Sequence, residues 1–263
     1  MTALQLFQVG KLREAIELQA RAVQQQPADP AVRLLLAEFL LFNGELDAVR
    51  EHLAQIPRDI PGMAEYLDAF LLLLVAEGKR QRLLVDVEPG FLLPPPEHIS
   101  RRLNALEELR NNRLSAAVEQ LDEADSCCPW VTGHIDGREF EGIRDHDDLF
   151  TSLLEMLVGD EYVWFPFEEV RRLRLDPIAS LRDQLFVPAH LTATNGEEWS
   201  VHLPTLYPGS HRHANDFVRI GSTTDWMADD DGPIRAVGLR TMTFGEEELT
   251  LLDFTQWEKR AMK

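Results

Sequence analysis

The first half of the chain repeats one pattern of apolar and polar positions at a regular interval. Each repeat reads as an apolar helix, a turn, a second helix and a stop. The turn is Gly or Asn at a spacing of 34 residues, at Gly10, Gly44, Gly78 and Asn112. The stop is proline at the same spacing, at Pro27, Pro61, Pro95 and Pro129. Gly and Asn tolerate the left-handed conformation at a helix end and Pro stops a helix, so the pattern predicts stacked helical hairpins.

Small residues recur where the paired helices would touch, for example at Ala37 and Ala105 in first helices and at Ala117 in a second helix. Small side chains let antiparallel helices approach closely. The pattern resembles the tetratricopeptide repeat over residues 1–129. Its third repeat is interrupted by a proline-rich stretch over 89–96, so we predict about seven helices, with the helix after Gly78 the weakest.

Stacked hairpins leave an extended concave surface, and such surfaces commonly hold a peptide or an amphipathic helix. The positions of the first helices that would face this surface are Leu34, Glu38, Leu41, Asp68, Leu72, Arg102 and Leu106. Each of them could instead pack against the second half of the chain. Both readings stay open at this point.

After Pro129 the helical spacing gives way to short alternating runs separated by turn dipeptides. Asp136-Gly137, Gly159-Asp160 and Asn195-Gly196 each predict an antiparallel hairpin, and a fourth is expected through Gly245. Short helices are expected over 147–153, 166–174 and 177–183, and an exposed loop over 229–233. The prediction is an α+β protein: a tetratricopeptide-like helical array in 1–129, then a mainly antiparallel α+β domain of about seven or eight strands in 130–263.

The net charge of −19 is shared by both halves and argues against nucleic acid or anionic lipid as the main partner. No apolar run approaches the roughly 18–20 residues of a membrane span, and the first residues read as an amphipathic helix. Cys127 and Cys128 are adjacent and cannot staple distant segments. Two buried or half-buried thiols in a reducing compartment are expected, with a vicinal redox pair as the alternative, and the predicted location is the cytoplasm.

Two polar clusters could carry chemistry. His134, Asp136 and the run 144–148 contain metal-binding residue types, but their spacing fits no zinc or EF-hand template, and the run better fits a helix cap. The second cluster is 206–213, in which Ser210 lies outside any GxSxG motif, so we expect a structural turn. The prediction is a protein without enzymatic activity, cofactor or metal. A metal-dependent or His/Asp-based hydrolase using His211, His213 and Asp145 is the alternative.

Five tryptophans complete the candidate set and are expected to anchor the core and the contact between the two halves. They are Trp130, Trp164, Trp199, Trp226 and Trp257.

The motifs of the second half resemble those of one family. Gly142-Ile143-Arg144-Asp145, Tyr162-Val163-Trp164-Phe165-Pro166 and Leu206-Tyr207-Pro208-Gly209-Ser210-His211 are similar to the ImpE/SciE family, also called TagJ. The positions that carry the likeness are Arg144, Asp145, Asp148, Trp164, Pro166, Tyr207, Pro208, Gly209, Ser210 and His211. Their expected role is a turn network that determines the fold.

The resemblance implies a cytoplasmic accessory protein of bacterial type VI secretion. It would bind the N-terminal helix of the small contractile-sheath subunit and link the sheath to the AAA+ ATPase that recycles it. The family brings no catalytic residues. A scaffold that organises several partners, or copies of itself, is the third hypothesis.

Overall fold

The computed structural model describes residues 1–227 and 231–260. Helices make up its N-terminal half and strands dominate its C-terminal half. The helices are α1 (Ala3–Gln8), α2 (Leu12–Gln25), α3 (Pro30–Phe42), α4 (Leu46–Leu53), α5 (Met63–Gln81), α6 (Glu97–Arg110), α7 (Leu114–Ser126), α8 (Leu181–Leu185) and α9 (Asp216–Arg219). The strands are β1 (Thr132–Ile135), β2 (Arg138–Glu141), β3 (Ile143–Asp145), β4 (Leu153–Val158), β5 (Glu161–Pro166), β6 (Val170–Leu175), β7 (Phe186–Ala193), β8 (Glu198–Pro204), β9 (Thr224–Met227), β10 (Arg235–Gly238), β11 (Thr241–Phe244), β12 (Glu247–Thr250) and β13 (Gln256–Lys259). We call residues 1–126 the helical part and the described residues from 131 onwards the strand part.

The first helices begin and end where the sequence places their caps. The Thr2 side chain accepts a hydrogen bond from Gln5 N in a capping box at α1. Asp29 accepts from two backbone N–H groups at the start of α3. Gly10, Gly44 and Asn112 follow α1, α3 and α6 with φ of 73°, 77° and 56°. Three of the four predicted turns are therefore confirmed.

The turn predicted at Gly78 is wrong, because Gly78 lies inside α5. The neighbouring side chains Glu77 and Arg80 are buried and paired, which holds this part of the chain in the helix. No second helix follows, since prolines interrupt residues 82–96. This segment runs to the strand part instead, where Gly90 N donates to Tyr162 O at 2.8 Å and Trp164 N donates to Gly90 O at 3.1 Å. The third repeat thus consists of its first helix alone.

All strand pairs of the described residues are antiparallel, as predicted. The largest sheet has the order β2-β1-β13-β6-β7-β8-β4-β5, and smaller sheets have the orders β12-β11-β3 and β10-β9. The hairpins at Asp136-Gly137, Gly159-Asp160 and Asn195-Gly196 are present, and a fourth turns at Gly245. The α+β architecture is confirmed, with more strands than expected.

Two predicted helices are strands or turns. Residues 166–174 form the end of β5, one turn of 3-10 helix and then β6. A register shift between Val170 and Arg172 gives the buried positions of β6 a spacing of three, which imitates a helix. Residues 147–152 form a turn in which side chains bind the backbone. The helix expected over 177–183 begins later, at Leu181, and residues 229 and 230 of the predicted loop lie outside the described part.

One hydrophobic core spans both parts of the molecule. It joins helix residues such as Phe70 and Leu74 to strand residues such as Leu157, Trp164 and Phe186. A second core lies within the strand part, around Phe165, Phe244 and Trp257. In the described residues no helix is long and apolar enough to span a membrane.

Candidate functional site at the junction of the two parts

A buried chain of charged groups crosses the junction. Arg80 of α5 donates from Nε to Glu155 Oε1 of β4 at 3.1 Å. Glu155 also binds the guanidinium of Arg240, whose Nη1 donates to Asp145 Oδ2 at 2.6 Å. The Tyr207 hydroxyl donates to the other oxygen of Asp145 at 2.9 Å. These five residues are almost completely buried. The two guanidinium groups pair with Glu155 and Asp145, and Arg80 also pairs with the buried Glu77; such pairing is how buried charge is tolerated.

Burial and pairing act differently on the two carboxyl groups. Burial raises the pKa of Asp145 to about 6, although Arg240 opposes this. Burial would also raise the pKa of Glu155, but the guanidinium groups of Arg80 and Arg240 outweigh it and hold that pKa below its ordinary value. Glu155 is therefore the firmly charged centre of the chain.

The Tyr207-to-Ser210 turn connects the buried chain of charged groups to the helical part. Gly209 has φ of 88°, and the Ser210 hydroxyl donates to Tyr207 O at 2.6 Å and accepts from Gly238 N at 2.7 Å. These bonds give Ser210 a structural role. The His211 ring lies against the turn between α3 and α4, because a Cβ on Gly44 would be 2.4 Å from its Cδ2.

A second contact of the same kind lies at the first repeat turn. A Cβ on Gly10 would be 2.6 Å from the Phe217 ring, and Arg13 N donates to Asp216 Oδ2 at 3.4 Å. The segment 207–220 therefore contacts the glycine turns of the first two repeats. The glycines of the 34-residue pattern serve the turn conformation and this close approach at once.

The predicted groove positions divide into two groups. Glu38, Leu41, Arg102 and Leu106 are buried. Glu38 accepts from Arg182 N, and Arg102 donates to Ser152 Oγ at 2.9 Å and to a backbone carbonyl at 2.7 Å. These four positions pack inside the protein, so the prediction that they line an open groove is wrong.

The strand part fills the surface that a longer helical array would leave open. Only Leu34, which is half-buried, and the exposed Asp68 and Leu72 stay accessible among the predicted positions.

The other motif positions have local roles. Trp164 Nε1 donates to the Tyr162 hydroxyl at 2.6 Å, and Pro166 closes β5 opposite Leu153. Asp148 Oδ2 accepts from Ile234 N at 2.7 Å, while the exposed Arg144 lies 3.4 Å from Asp148. Arg144 therefore lies outside the buried chain.

Carboxylates of the first polar cluster bind protein groups rather than capping a helix. Asp145 Oδ1 accepts from Asp147 N, and Asp147 Oδ1 accepts from Leu149 N, at 2.9 and 3.0 Å. Asp147 also pairs with Arg235 at 2.8 Å. The helix-cap prediction for this run is wrong, since no helix follows.

Within the described residues one other group has the composition of a metal site: His98, Cys128 and Glu168, with ligand atoms within 4.8 Å of one another. His98 Nε2 is 2.5 Å from Glu168 Oε1, and its Nδ1 is 3.1 Å from Ser152 Oγ. Both ring nitrogens thus already have protein partners, and the group connects α6 to the strand part. Cys127 is exposed and only Cys128 is half-buried, which corrects the expectation for the first thiol.

Sequence reasoning did not single out Arg80 or Arg240. Arg182 lies 4.3 Å from the centre of the Tyr66 ring and contributes a further contact across the junction. A usable signal was present in β4, where Glu155 is the one charged residue in the apolar run LLEMLV. A lone charge in a buried strand requires a partner of opposite charge.

Comparison with known proteins agrees with this architecture. Residues 137–258 match the family model described as ImpE protein, and residues 6–69 match a tetratricopeptide repeat model. A protein from Vibrio parahaemolyticus, VPA1032, has a crystal structure that superposes with a TM-score of 0.90. It is 19% identical, over 99% of this chain and 98% of that one.

A relative with a described role comes from Pseudomonas aeruginosa and is named type VI secretion system accessory component TagJ. It is 26% identical over 257 residues, which cover 97% of this chain and 90% of the relative. The likeness thus includes both the helical part and the strand part. These matches support an ImpE/SciE/TagJ family assignment, with a tetratricopeptide-like N-terminal half and an ImpE-like C-terminal half.

Proposed function

We propose that this protein is a non-enzymatic cytoplasmic adaptor of type VI secretion. It binds the N-terminal helix of the small sheath subunit and links the sheath to the AAA+ ATPase that recycles it. The family assignment supports the accessory role. The observation that carries the helix-binding step is an exposed apolar stripe on α5.

The stripe lies on the face of α5 that points away from the core. Leu72 is 46% exposed and Val75, three residues on, is 39% exposed. Glu65 and Asp68 precede them on the same face and are also exposed. Residues three or four apart are neighbours on a helix surface, so the face carries Glu65 and an Asp68–Arg58 ion pair at one end and apolar side chains at the other. An amphipathic helix with a basic first turn would complement it.

The test uses a synthetic peptide of the sheath subunit's N-terminal helix and isothermal titration calorimetry with the full-length protein. Leu72→Glu/Val75→Glu should weaken binding at least about tenfold, a change of about 1.4 kcal/mol. Leu4→Glu/Leu18→Glu is the matched control, because both leucines are exposed on other helices. Undiminished binding by the α5 variant would move the helix-binding site elsewhere.

The link to the ATPase needs a separate measurement. Immobilised ATPase should retain the sheath subunit more strongly when this protein is present than when it is omitted. Retention of the sheath subunit that does not change when this protein is omitted would contradict the adaptor step.

The hydrolase alternative receives no support from the geometry. Ser210 is held by two backbone groups and Asp145 by an arginine and a tyrosine. His211 packs on a helix turn, and His213 pairs with the surface residue Asp225 at 3.2 Å. Each candidate side chain therefore already has a structural partner.

A further inference from the structure

We propose that His98, Cys128 and Glu168 form a zinc site that joins the helical part to the strand part. One nitrogen, one sulfur and one carboxylate oxygen of these residues lie within 4.8 Å of one another. We call the three side chains the junction cluster. This proposal goes beyond the adaptor function, because it concerns a metal ion and a site that does not include the exposed stripe on α5.

The junction cluster is assembled from three separate elements. His98 lies in the first turn of α6, Cys128 follows the end of α7, and Glu168 lies in the 3-10 turn after β5. Positions 98, 128 and 168 match no spacing template for zinc, so the sequence did not predict the site. An ion bound to all three side chains would tie both helices of the last hairpin to the strand part.

The donor atoms of the cluster select zinc. Imidazole nitrogen, thiolate sulfur and carboxylate oxygen are all ordinary zinc ligands, whereas Mg²⁺ and Ca²⁺ take oxygen ligands. Zinc bonds of about 2.0–2.3 Å place the ligand atoms of a tetrahedral site roughly 3.3–3.8 Å apart, so shifts of about 1 Å bring the cluster to this geometry. One thiolate and one carboxylate also neutralise the two charges of the ion.

The Glu168 carboxylate has one oxygen without a partner. Its Oε1 lies 2.5 Å from His98 Nε2, but its Oε2 is buried and accepts no hydrogen bond from residues 1–227 and 231–260. Arg102 pairs with Asp125, and Lys259 donates to the backbone carbonyl of Glu168, so neither cation serves this oxygen. Leaving a buried carboxylate oxygen without a partner is costly, and a bound metal ion would satisfy it.

The His98 ring is oriented by a partner on its other side. Its Nδ1 lies 3.1 Å from Ser152 Oγ, and Ser152 in turn accepts from Arg102 Nε at 2.9 Å. A zinc-bound histidine commonly donates its other ring N–H to such a partner. On zinc binding, the ring proton moves from Nε2 to Nδ1, which then donates to Ser152, and Cys128 releases its thiol proton to solvent. Bonds from His98 and Glu168 to the ion replace the hydrogen bond between them.

Zinc can reach the cluster from solvent. Cys128 is half-buried, and the neighbouring Cys127 is exposed. Trp130, two residues further on, is 75% exposed and, like Trp226, is not the core anchor that the sequence predicted. The chain therefore leaves the cluster along the surface. With three protein ligands, a water molecule would be the fourth.

The test titrates the reduced, full-length protein with Co²⁺, whose absorption reports a thiolate ligand, and then displaces Co²⁺ with Zn²⁺. We expect one ion per chain and a rise in Tm of about 5 °C or more when free zinc is about a hundredfold above its Kd. Cys128→Ser should weaken zinc binding at least about a hundredfold. Cys127→Ser is the matched control, because it removes the neighbouring exposed thiol. Glu168→Gln should also weaken binding, whereas Glu169→Gln should not, because Glu169 accepts from Thr194.

Three results would overturn the proposal. One is the absence of a thiolate–Co²⁺ absorption together with a Tm that does not respond to zinc. Another is an equal loss of affinity in the two serine variants, which would place the ion on the adjacent thiols at the surface. The third is undiminished binding by Glu168→Gln. If Cys128→Ser does not fold, as judged by circular dichroism without zinc, the comparison of Glu168→Gln with Glu169→Gln decides.

Discussion

Glu155 is held between two arginines that come from distant parts of the chain. Arg80 reaches it from α5, and Arg240 reaches it from the residues just before β11. Removing one partner of a buried ion pair leaves the remaining charge without compensation, which costs more than the pair itself contributes. At the residue scale, Glu155 is therefore the carboxylate that the two buried arginines share, while Glu77 and Asp145 each pair with one of them.

We expect Glu155→Gln to lower the free energy of unfolding by about 3–5 kcal/mol, measured by urea denaturation. Glu161→Gln is the matched control. Glu161 pairs with Lys79 at 2.7 Å across the same junction, but its side chain is 58% exposed. An exposed pair contributes about 0–1 kcal/mol. Similar losses in the two variants would show that the buried chain is not a special source of stability.

His211 makes the stability of the junction depend on pH. Burial, with nearby Arg212, lowers its pKa to about 4 from an ordinary value of 6.5. Between these values the unfolded chain binds the proton and the folded protein does not, so this histidine lowers stability as pH falls from about 6.5 to 4. Asp145, with its raised pKa of about 6, acts in the opposite direction below pH 6.

We therefore expect His211→Asn to change the pH dependence in a defined direction. Its free energy of unfolding should decrease less than that of the unsubstituted protein when the pH is lowered from 6.5 to 4, as followed by urea denaturation at several pH values. His134→Asn, at a half-buried position of β1, is the control for replacing a histidine outside the junction. A slope that is the same in both variants would contradict the assignment.

At the scale of elements, two repeat turns are held by one segment of the strand part. His211 lies on the turn after α3, and Phe217 lies on the turn after α1. Because of these contacts, neither turn can move far unless the 207–220 segment moves with it. The hairpins of this array are thus fixed from outside as well as by stacking on each other.

Two glycines of equal conformation separate the effect of this contact from backbone strain. Gly44 and Gly62 have φ of 77° and 78°, but a Cβ on Gly62 would meet nothing within 4 Å. Both alanine variants share the left-handed penalty of roughly 1–2 kcal/mol. We expect Gly44→Ala to lose at least about 1 kcal/mol more, because its methyl group collides with His211. Equal losses in chemical denaturation would mean that the ring moves away freely.

On the scale of the whole molecule, the shared core makes the helical and strand parts interdependent. Phe70 and Leu74 belong to the same hydrophobic cluster as Trp164 and Phe186. The boundary predicted near residue 129 separates helices from strands, but the packing continues across it. We propose that the two parts unfold together.

The prediction is a single unfolding transition by circular dichroism and by tryptophan fluorescence, with coincident midpoints. A fragment of residues 1–129 alone should show reduced helix content and no cooperative transition. Adding the separate fragment 130–263 should restore both. Two resolved transitions in the intact chain, or a cooperative fragment 1–129, would contradict this.

The sequence predicted those features that depend on local chemistry. Gly10 and Gly44 marked helix ends, and Asn195-Gly196 marked a hairpin, because these residues favour special backbone conformations wherever they occur. The turn predicted at Gly78 was wrong because glycine does not occur only at helix ends: an isolated Gly is also tolerated within a helix. Strand β13 was missed because its partners β1 and β6 lie far away in the sequence.

The buried junction was predicted only in part. Asp145, Tyr207 and Ser210 were named from the family resemblance, whereas Arg80 and Arg240 were not. Each arginine looks like an ordinary surface residue in its own segment. Its burial follows from Glu155, which lies in another element, so a pattern read along the chain does not show it. The prediction of an open groove was wrong for a similar reason, because the strand part, which is distant in sequence, covers most of the positions that would line it.

The hydrogen bonds between Gly90 and strand β5 have a consequence for synthesis. The ribosome releases Gly90 about 70 residues before Val163, a delay of several seconds at about 5–20 residues per second. During this time the face of α5 that is buried in the folded protein, including Phe70 and Leu74, is not yet covered by the strand part. The nascent chain thus presents an unfinished apolar surface, and a holding chaperone would be needed most between the emergence of the first half and that of β5.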